Sequence, residues 1–149
     1  MKLFLIHHGV AVGPEVDPQR PLSNVGLAAA ALVAQKAASR GAKPDVVWHS
    51  GKLRAKQTAQ GCWRACNALA EFSATKDLQP DDPPQWIRDR LRGETRDIAL
   101  AGHFPFMPRL LALLTTGGEA GVDFPLNGMV ALVSEDGGDT YRELWRIEN

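Results

Sequence analysis

The chain has 149 residues, 44% apolar and 23% charged, the balance of a globular protein long enough to bury a core. Lysines plus arginines equal aspartates plus glutamates at 17 each, so the basic excess of a nucleic-acid or membrane-surface binder is missing. No apolar run approaches the roughly 18 residues needed to cross a bilayer, and no cleavage site follows the short apolar stretch after Lys2, so neither a membrane anchor nor a signal peptide is expected. Cys62 and Cys66, four apart in a helical pattern, read as small packing residues rather than a metal or redox pair, which suits a reducing cytoplasm.

In chain order, Leu3-Phe4-Leu5-Ile6 reads as a short strand buried on both faces, running straight into His7-His8-Gly9. A loop from Val10 to Arg20 leads to Pro21-Leu22-Ser23, with Ser23 as helix N-cap. Val25, Ala29, Leu32, Val33 and Lys36 then keep helical spacing until Gly41. Asp45 to Trp48 forms a second strand ending at His49-Ser50-Gly51, and a helix is predicted from about Lys52 to Glu71, with Ala55, Ala59, Cys62, Cys66 and Leu69 on one face. Phe72 to Thr75 is a further strand candidate, Leu78 to Pro84 a loop, and Gln85 to Arg92 a short arginine-rich helix. Asp97 to Ala101 is a strand ending in Gly102-His103, and the helix opened by Phe104-Pro105 carries Leu110, Leu111 and Leu114 up to Gly117-Gly118. Val130 to Ser134 and Tyr141 to Ile147 flank Gly137-Gly138 as a hairpin. Strands alternating with helices predict one α/β domain over residues 1–149: a three-layer α/β/α arrangement with a mostly parallel sheet and a C-terminal antiparallel hairpin.

Three predicted strands thus end in histidine, and in a parallel sheet those ends share one edge, so all four histidines are expected near one place. Arg20 and Arg54 fall beside them, Arg54 in the first turn of a helix, where free N–H groups and the dipole favour an anion. A histidine nucleophile with arginine forks for oxygens points to phosphoryl transfer.

These residues resemble known signatures. His7-His8-Gly9 is similar to the Arg-His-Gly signature of the histidine phosphatase superfamily. Ser50-Gly51-Lys52-Leu53-Arg54-Ala55-Lys56-Gln57-Thr58 resembles its second signature, and Gly102-His103-Phe104-Pro105 its third. The small size and Arg20-Pro21-Leu22-Ser23 resemble the SixA-like branch, short phosphatases acting on phosphohistidine, and the resemblance runs from Lys2 to about Pro108. It implies that His8 attacks phosphorus and is transiently phosphorylated, that Arg54 and Arg20 hold the equatorial oxygens, and that His103 hydrogen-bonds the same group. Water then releases phosphate, and no metal or other cofactor is required. The implied partner is a phosphohistidine protein or a small phosphorylated substrate, not a nucleic acid or a membrane. Many relatives use an acidic residue from a later loop as general acid. Asp81 and Asp82 lie in a suitable loop, although Pro80-Asp81-Asp82-Pro83 also reads as an ordinary turn.

The first signature departs from the family at His7, which stands where the family has a phosphate-gripping arginine. If His7 serves when protonated, its help should fade as pH rises, giving a falling limb near neutrality. A second reading is therefore a phosphate- or phosphohistidine-binding module that has lost turnover. A third takes His7, His8, His49 and His103 as a metal site, against which the neighbouring arginines would repel a dication. Trp48 and Trp63 read as core or pocket wall. Arg88, Arg90, Arg92 and Arg96 read as a solvated face that could also dock an acidic partner.

Overall fold

Leu3, Phe4, Leu5 and Ile6 are at most 2% exposed, and their strand is an inner member of the sheet. The computed structural model covers Met1–Asn149. Its elements are β1 (Lys2–His7), α1 (Asn24–Ser39), β2 (Val46–His49), α2 (Leu53–Cys66), β3 (Glu71–Ala74), α3 (Pro84–Leu91), β4 (Ile98–Gly102), α4 (Phe106–Thr116), β5 (Met129–Val133) and β6 (Arg142–Ile147). They build one six-stranded sheet in the order β3-β2-β4-β1-β5-β6. β1, β2, β3 and β4 pair in parallel, while β5 runs antiparallel to both β1 and β6.

Side chains alternate across a strand, which splits the core in two. Leu3 and Leu5 face Ile87, Leu91, Phe106 and Leu110 of α3 and α4. Phe4 and Ile6 face Val33, Ala37, Ala59 and Cys62 of α1 and α2. The expected three-layer architecture and the closing hairpin are both present. No helix is long and apolar enough to cross a membrane.

Packing decides three local points. In α1 the buried residues are Gly26, Val33, Ala34 and Ala37, whereas Val25 and Leu32 are exposed. The helix is apolar nearly all round, so spacing alone did not single out the inner face. It does begin as expected, with Ser23 Oγ accepting from Gly26 N–H at 3.0 Å. The helix α2 stops at Cys66, not near Glu71, because Asn67 turns extended and donates its Nδ2 to the Pro44 carbonyl at 2.9 Å. Leu69 is left 96% exposed. The arginine run is paired within the chain: Arg88 with Asp89, Arg90 with Asp77, Arg92 with Asp89 and Asp139, and Arg96 with Glu94 and Glu71. Arg90 also lies over the Trp48 ring at 4.7 Å. These pairs leave little net positive face for an acidic partner.

Gly26 fixes how the loop after β1 meets α1. A Cβ built on it would lie 2.0 Å from the Val10 carbonyl oxygen, which already accepts from Ser23 N–H at 2.9 Å. Gly26→Ala should therefore push away the loop that begins at His8 and Gly9, destabilising the fold by about 1–3 kcal/mol. Urea unfolding of the two proteins measures this. An unchanged midpoint would show that the loop yields freely.

Candidate active site

Parallel register brings the chemistry together. His7 pairs with Gly102 and His49 with Ala101, so β1, β4 and β2 end side by side. The ladder continues one step further, His8 N–H donating to the Gly102 carbonyl at 3.0 Å. The residues just beyond these strand ends are His8, Ser50 and His103.

The His8 ring is oriented by its own backbone neighbour. Its Nδ1 lies 2.7 Å from the Gly9 carbonyl oxygen, which can only accept, so the proton is on Nδ1 and Nε2 keeps a free lone pair. Burial lowers the His8 pKa, the Gly9 bond partly opposes this, and the Arg54 and Arg20 guanidiniums lower it further. The ring therefore gives up its second proton more readily than an ordinary histidine. Gly9 is pinned in turn, its N–H donating to Thr58 Oγ1 at 3.0 Å, while Gln57 Oε1 accepts from Leu22 N–H at 2.7 Å. The Gln57-Thr58 end of the second motif thus holds the loop of the first.

His7 is 5% exposed and stacks on Phe104, ring centroids 4.1 Å apart and planes 16° from parallel. Its Nδ1 accepts from the backbone N–H of Asn127 at 2.8 Å. That bond uses the lone pair and leaves the single proton on Nε2. Burial first, and His8 beside it, push the His7 pKa down to about 3. Burial and the Asn127 bond thus favour a neutral His7 ring with one N–H to offer over a cation. Asn127 was not among the expected site residues. It has a left-handed backbone (φ 54°), and its Nδ2 donates to the His8 carbonyl at 2.8 Å, so it steadies both histidines. The Asn-Gly pair at 127–128, a turn signal, was the only trace of it in the sequence.

His103 is 2% exposed, its ring centroid 5.1 Å from that of His8 and its Nε2 2.6 Å from Ser50 Oγ. Burial pushes its pKa down to about 3, with His8, Arg54 and Lys52 acting in the same direction. Its Nδ1 is buried with no hydrogen-bond partner in the protein, and so is Nε of Arg54. Arg54 sits in the first turn of α2, whose N-terminus no side chain caps. Burial and Arg20 lower its pKa, so two guanidiniums are held against mutual repulsion. Arg20 adopts φ 49° and donates Nε to the Val12 carbonyl at 3.1 Å. Beside these groups lies an open depression of about 390 Å³ lined by Gln19, Lys52, Arg54 and Lys56 among others.

One of the four histidines, His49, does not join the cluster. As a β2 residue it takes the α2 side of the sheet, with its ring 5.1 Å from Phe72 and its Nδ1 accepting from Gly51 N–H at 3.0 Å. The expected convergence of four histidines is therefore one of three, and no group of three His, Cys or carboxylate side chains is arranged to hold a metal ion. Asp82 forms a turn, its carboxylate accepting from Gln79 N–H at 2.9 Å. Asp81 is exposed and makes no side-chain hydrogen bond or ion pair. Gln79 donates to the Ser50 carbonyl at 2.8 Å and so ties this loop to the site.

The arrangement can do three things chemically. It offers a free imidazole nitrogen on His8, it sets the His7 and His103 rings beside that ring, and it brings Arg54 and Arg20 near enough to lower the His8 pKa. Such a site attracts a tetrahedral oxyanion and can attack its central atom.

No protein-family model matches the chain, and no curated protein matches its sequence. Solved structures do. The protein histidine phosphatase SixA complexed with tungstate superposes with a TM-score of 0.85 at 21% identity, covering 99% of this chain and 97% of that one. The proposed phosphohistidine phosphatase SixA of Agrobacterium tumefaciens gives 0.78 at 23% identity, covering 99% and 97%. A phosphoserine phosphatase from Entamoeba histolytica, in complex with 3-phosphoglyceric acid, gives 0.71 at 15% identity, covering 99% and 97%. The fold expected from the three motifs, that of the SixA-like histidine phosphatases, is the fold found.

Proposed function

We propose that this protein is a phosphatase that removes a phosphoryl group from phosphohistidine through a phosphorylated His8. The observation that carries the reading is the bond from His8 Nδ1–H to the Gly9 carbonyl, which leaves Nε2 unprotonated beside two guanidiniums. In the proposed reaction Nε2 attacks phosphorus as the bond to the leaving group breaks. Arg54 and Arg20 take the equatorial oxygens, joined by N–H donors from His7 Nε2 and His103. Water then attacks the phosphorylated His8, releasing phosphate and restoring the ring. Chemistry of this kind draws its positive charge from side chains and calls for no metal.

The carboxylates bear on the leaving group. Asp82 accepts from Gln79 N–H within its turn and Asp81 is exposed, and neither makes a hydrogen bond to the histidine cluster. An imidazole leaving group needs far less help than an alkoxide, which favours phosphohistidine over sugar phosphates. The binding-module reading draws support from one observation, the neutral His7 in place of a permanent cation.

A substrate panel separates the readings. With chelator present, phosphate release from a phosphohistidine protein and from phosphoramidate should exceed release from sugar phosphates. The pH dependence follows from the ring states. His8 must be unprotonated to attack, and its pKa is lowered, so activity falls only as pH drops below the ordinary value of about 6.5. His7 and His103 are already neutral there, so no falling limb appears between about pH 7 and 8.5. A falling limb in that range would restore His7 as a working cation. Tight tungstate binding with no release from any substrate would establish the binding module instead.

A further inference from the structure

Ser50 occupies a position that the phosphatase reading does not use. It is 6% exposed, follows the last residue of β2, and its Oγ lies 2.6 Å from His103 Nε2. Two proton arrangements could make that contact. If Nε2–H donates to Ser50 Oγ, the serine proton has no acceptor, because its other contact is the backbone N–H of Lys52 at 3.4 Å, itself a donor. Both the hydroxyl proton and the Nδ1 lone pair would then be buried and unpaired, against the general rule for buried polar atoms. If instead Ser50 O–H donates to Nε2, the serine oxygen accepts from Lys52 and every group of the pair is satisfied except one. That one is a proton on Nδ1, which is buried without a partner in the protein.

We infer that Ser50 is a positioning residue that holds His103 in the tautomer with its proton on Nδ1, so that Nδ1–H is the donor this ring offers to a bound oxyanion. The chemistry follows directly. A neutral imidazole has one N–H, and the wrong tautomer would present a lone pair to an anion, turning attraction into repulsion. A doubly protonated ring would avoid the choice, but His103 has no carboxylate beside it and lies close to Arg54, Lys52 and His8. Ser50 itself need not touch the substrate. Sequence position alone suggested no role for it beyond membership of the second motif.

The inference rests on the oxyanion site of the proposed function, and its test avoids turnover so that the two can fail separately. Long-range ¹H–¹⁵N spectra of the free protein should show a protonated Nδ1 and an unprotonated Nε2 for His103. Ser50→Ala should move population to the Nε2–H form and weaken tungstate binding by about 10- to 100-fold, the range for losing a hydrogen bond to a charged group. Ser50→Thr, which keeps the hydroxyl, should restore both. In a His103→Asn background the amide supplies its own N–H, and Ser50→Ala should then have no further effect on tungstate affinity. A wild-type spectrum with Nε2 protonated would overturn the inference even if the alanine variant fails to fold. So would a folded Ser50→Ala protein that binds tungstate as tightly as wild type, or an equal loss in the His103→Asn background. Absence of phosphate release from every substrate would remove the phosphatase reading and leave this result standing.

Discussion

His8→Ala is expected to lower phosphate release by about 10⁴-fold or more, the scale seen when a covalent nucleophile is deleted. The expectation is large because nothing nearby can substitute. His7 spends its Nδ1 on Asn127, and His103 spends its Nε2 on Ser50. Only His8 presents a ring nitrogen with a free lone pair in this cluster, and only its lone pair is set by a backbone carbonyl that cannot donate. The fold should survive, since the ring is partly exposed and its sole hydrogen bond is to the adjacent residue. Tungstate binding should therefore persist in the variant while turnover is lost. In wild type, acid-labile phosphate trapped from phosphoramidate should map to His8. Unchanged release by the alanine variant would remove the covalent mechanism, and phosphate mapped to a serine or aspartate would relocate it.

Arg54→Ala should lower the rate by about 10³-fold, the lower end for losing an arginine that stabilises phosphoryl transfer, and should weaken tungstate binding with it. With His7 neutral, the positive charge within the cluster falls mainly to Arg54 and Arg20, so each matters more than it would in a pocket with a third guanidinium. Stability should move the other way or not at all. Arg54 Nε has no partner in the protein, and its pKa is lowered by burial and by repulsion from Arg20. Removing it relieves that repulsion, so the melting temperature of Arg54→Ala should equal or exceed that of wild type. Arg54→Lys keeps charge but loses the two-pronged donor and should recover binding better than rate. Oxyanion affinity equal to wild type in the alanine variant would place the anion site elsewhere.

The strand that runs into His8 and the alternation of strands and helices are legible in the order of residues alone. Leu3 to Ile6 could only be an inner strand, because four consecutive apolar residues need cover on both faces. The glycine- and histidine-bearing ends of three parallel strands had to meet at one edge, because parallel register aligns strand ends. Other features depended on contacts between residues far apart in the chain. Strand alternation sends His49 to the α2 side and away from the cluster, although its sequence context looks like that of the others. The inner face of the nearly all-apolar α1 carries Gly26, Val33, Ala34 and Ala37, with Gly26 fitting against the Val10 carbonyl, a choice that hydrophobic period alone does not make. His7 is kept neutral by burial first and by His8 beside it, while the backbone N–H of Asn127, 120 residues away, takes the Nδ1 lone pair and leaves the proton on Nε2. Likewise the Asp82 carboxylate accepts from Gln79 N–H, a turn contact set by the folded loop. A sequence names the titratable groups at a site, but their protonation is set by burial and by the hydrogen bond each ring nitrogen or carboxylate oxygen makes, and those partners exist only once the chain has folded.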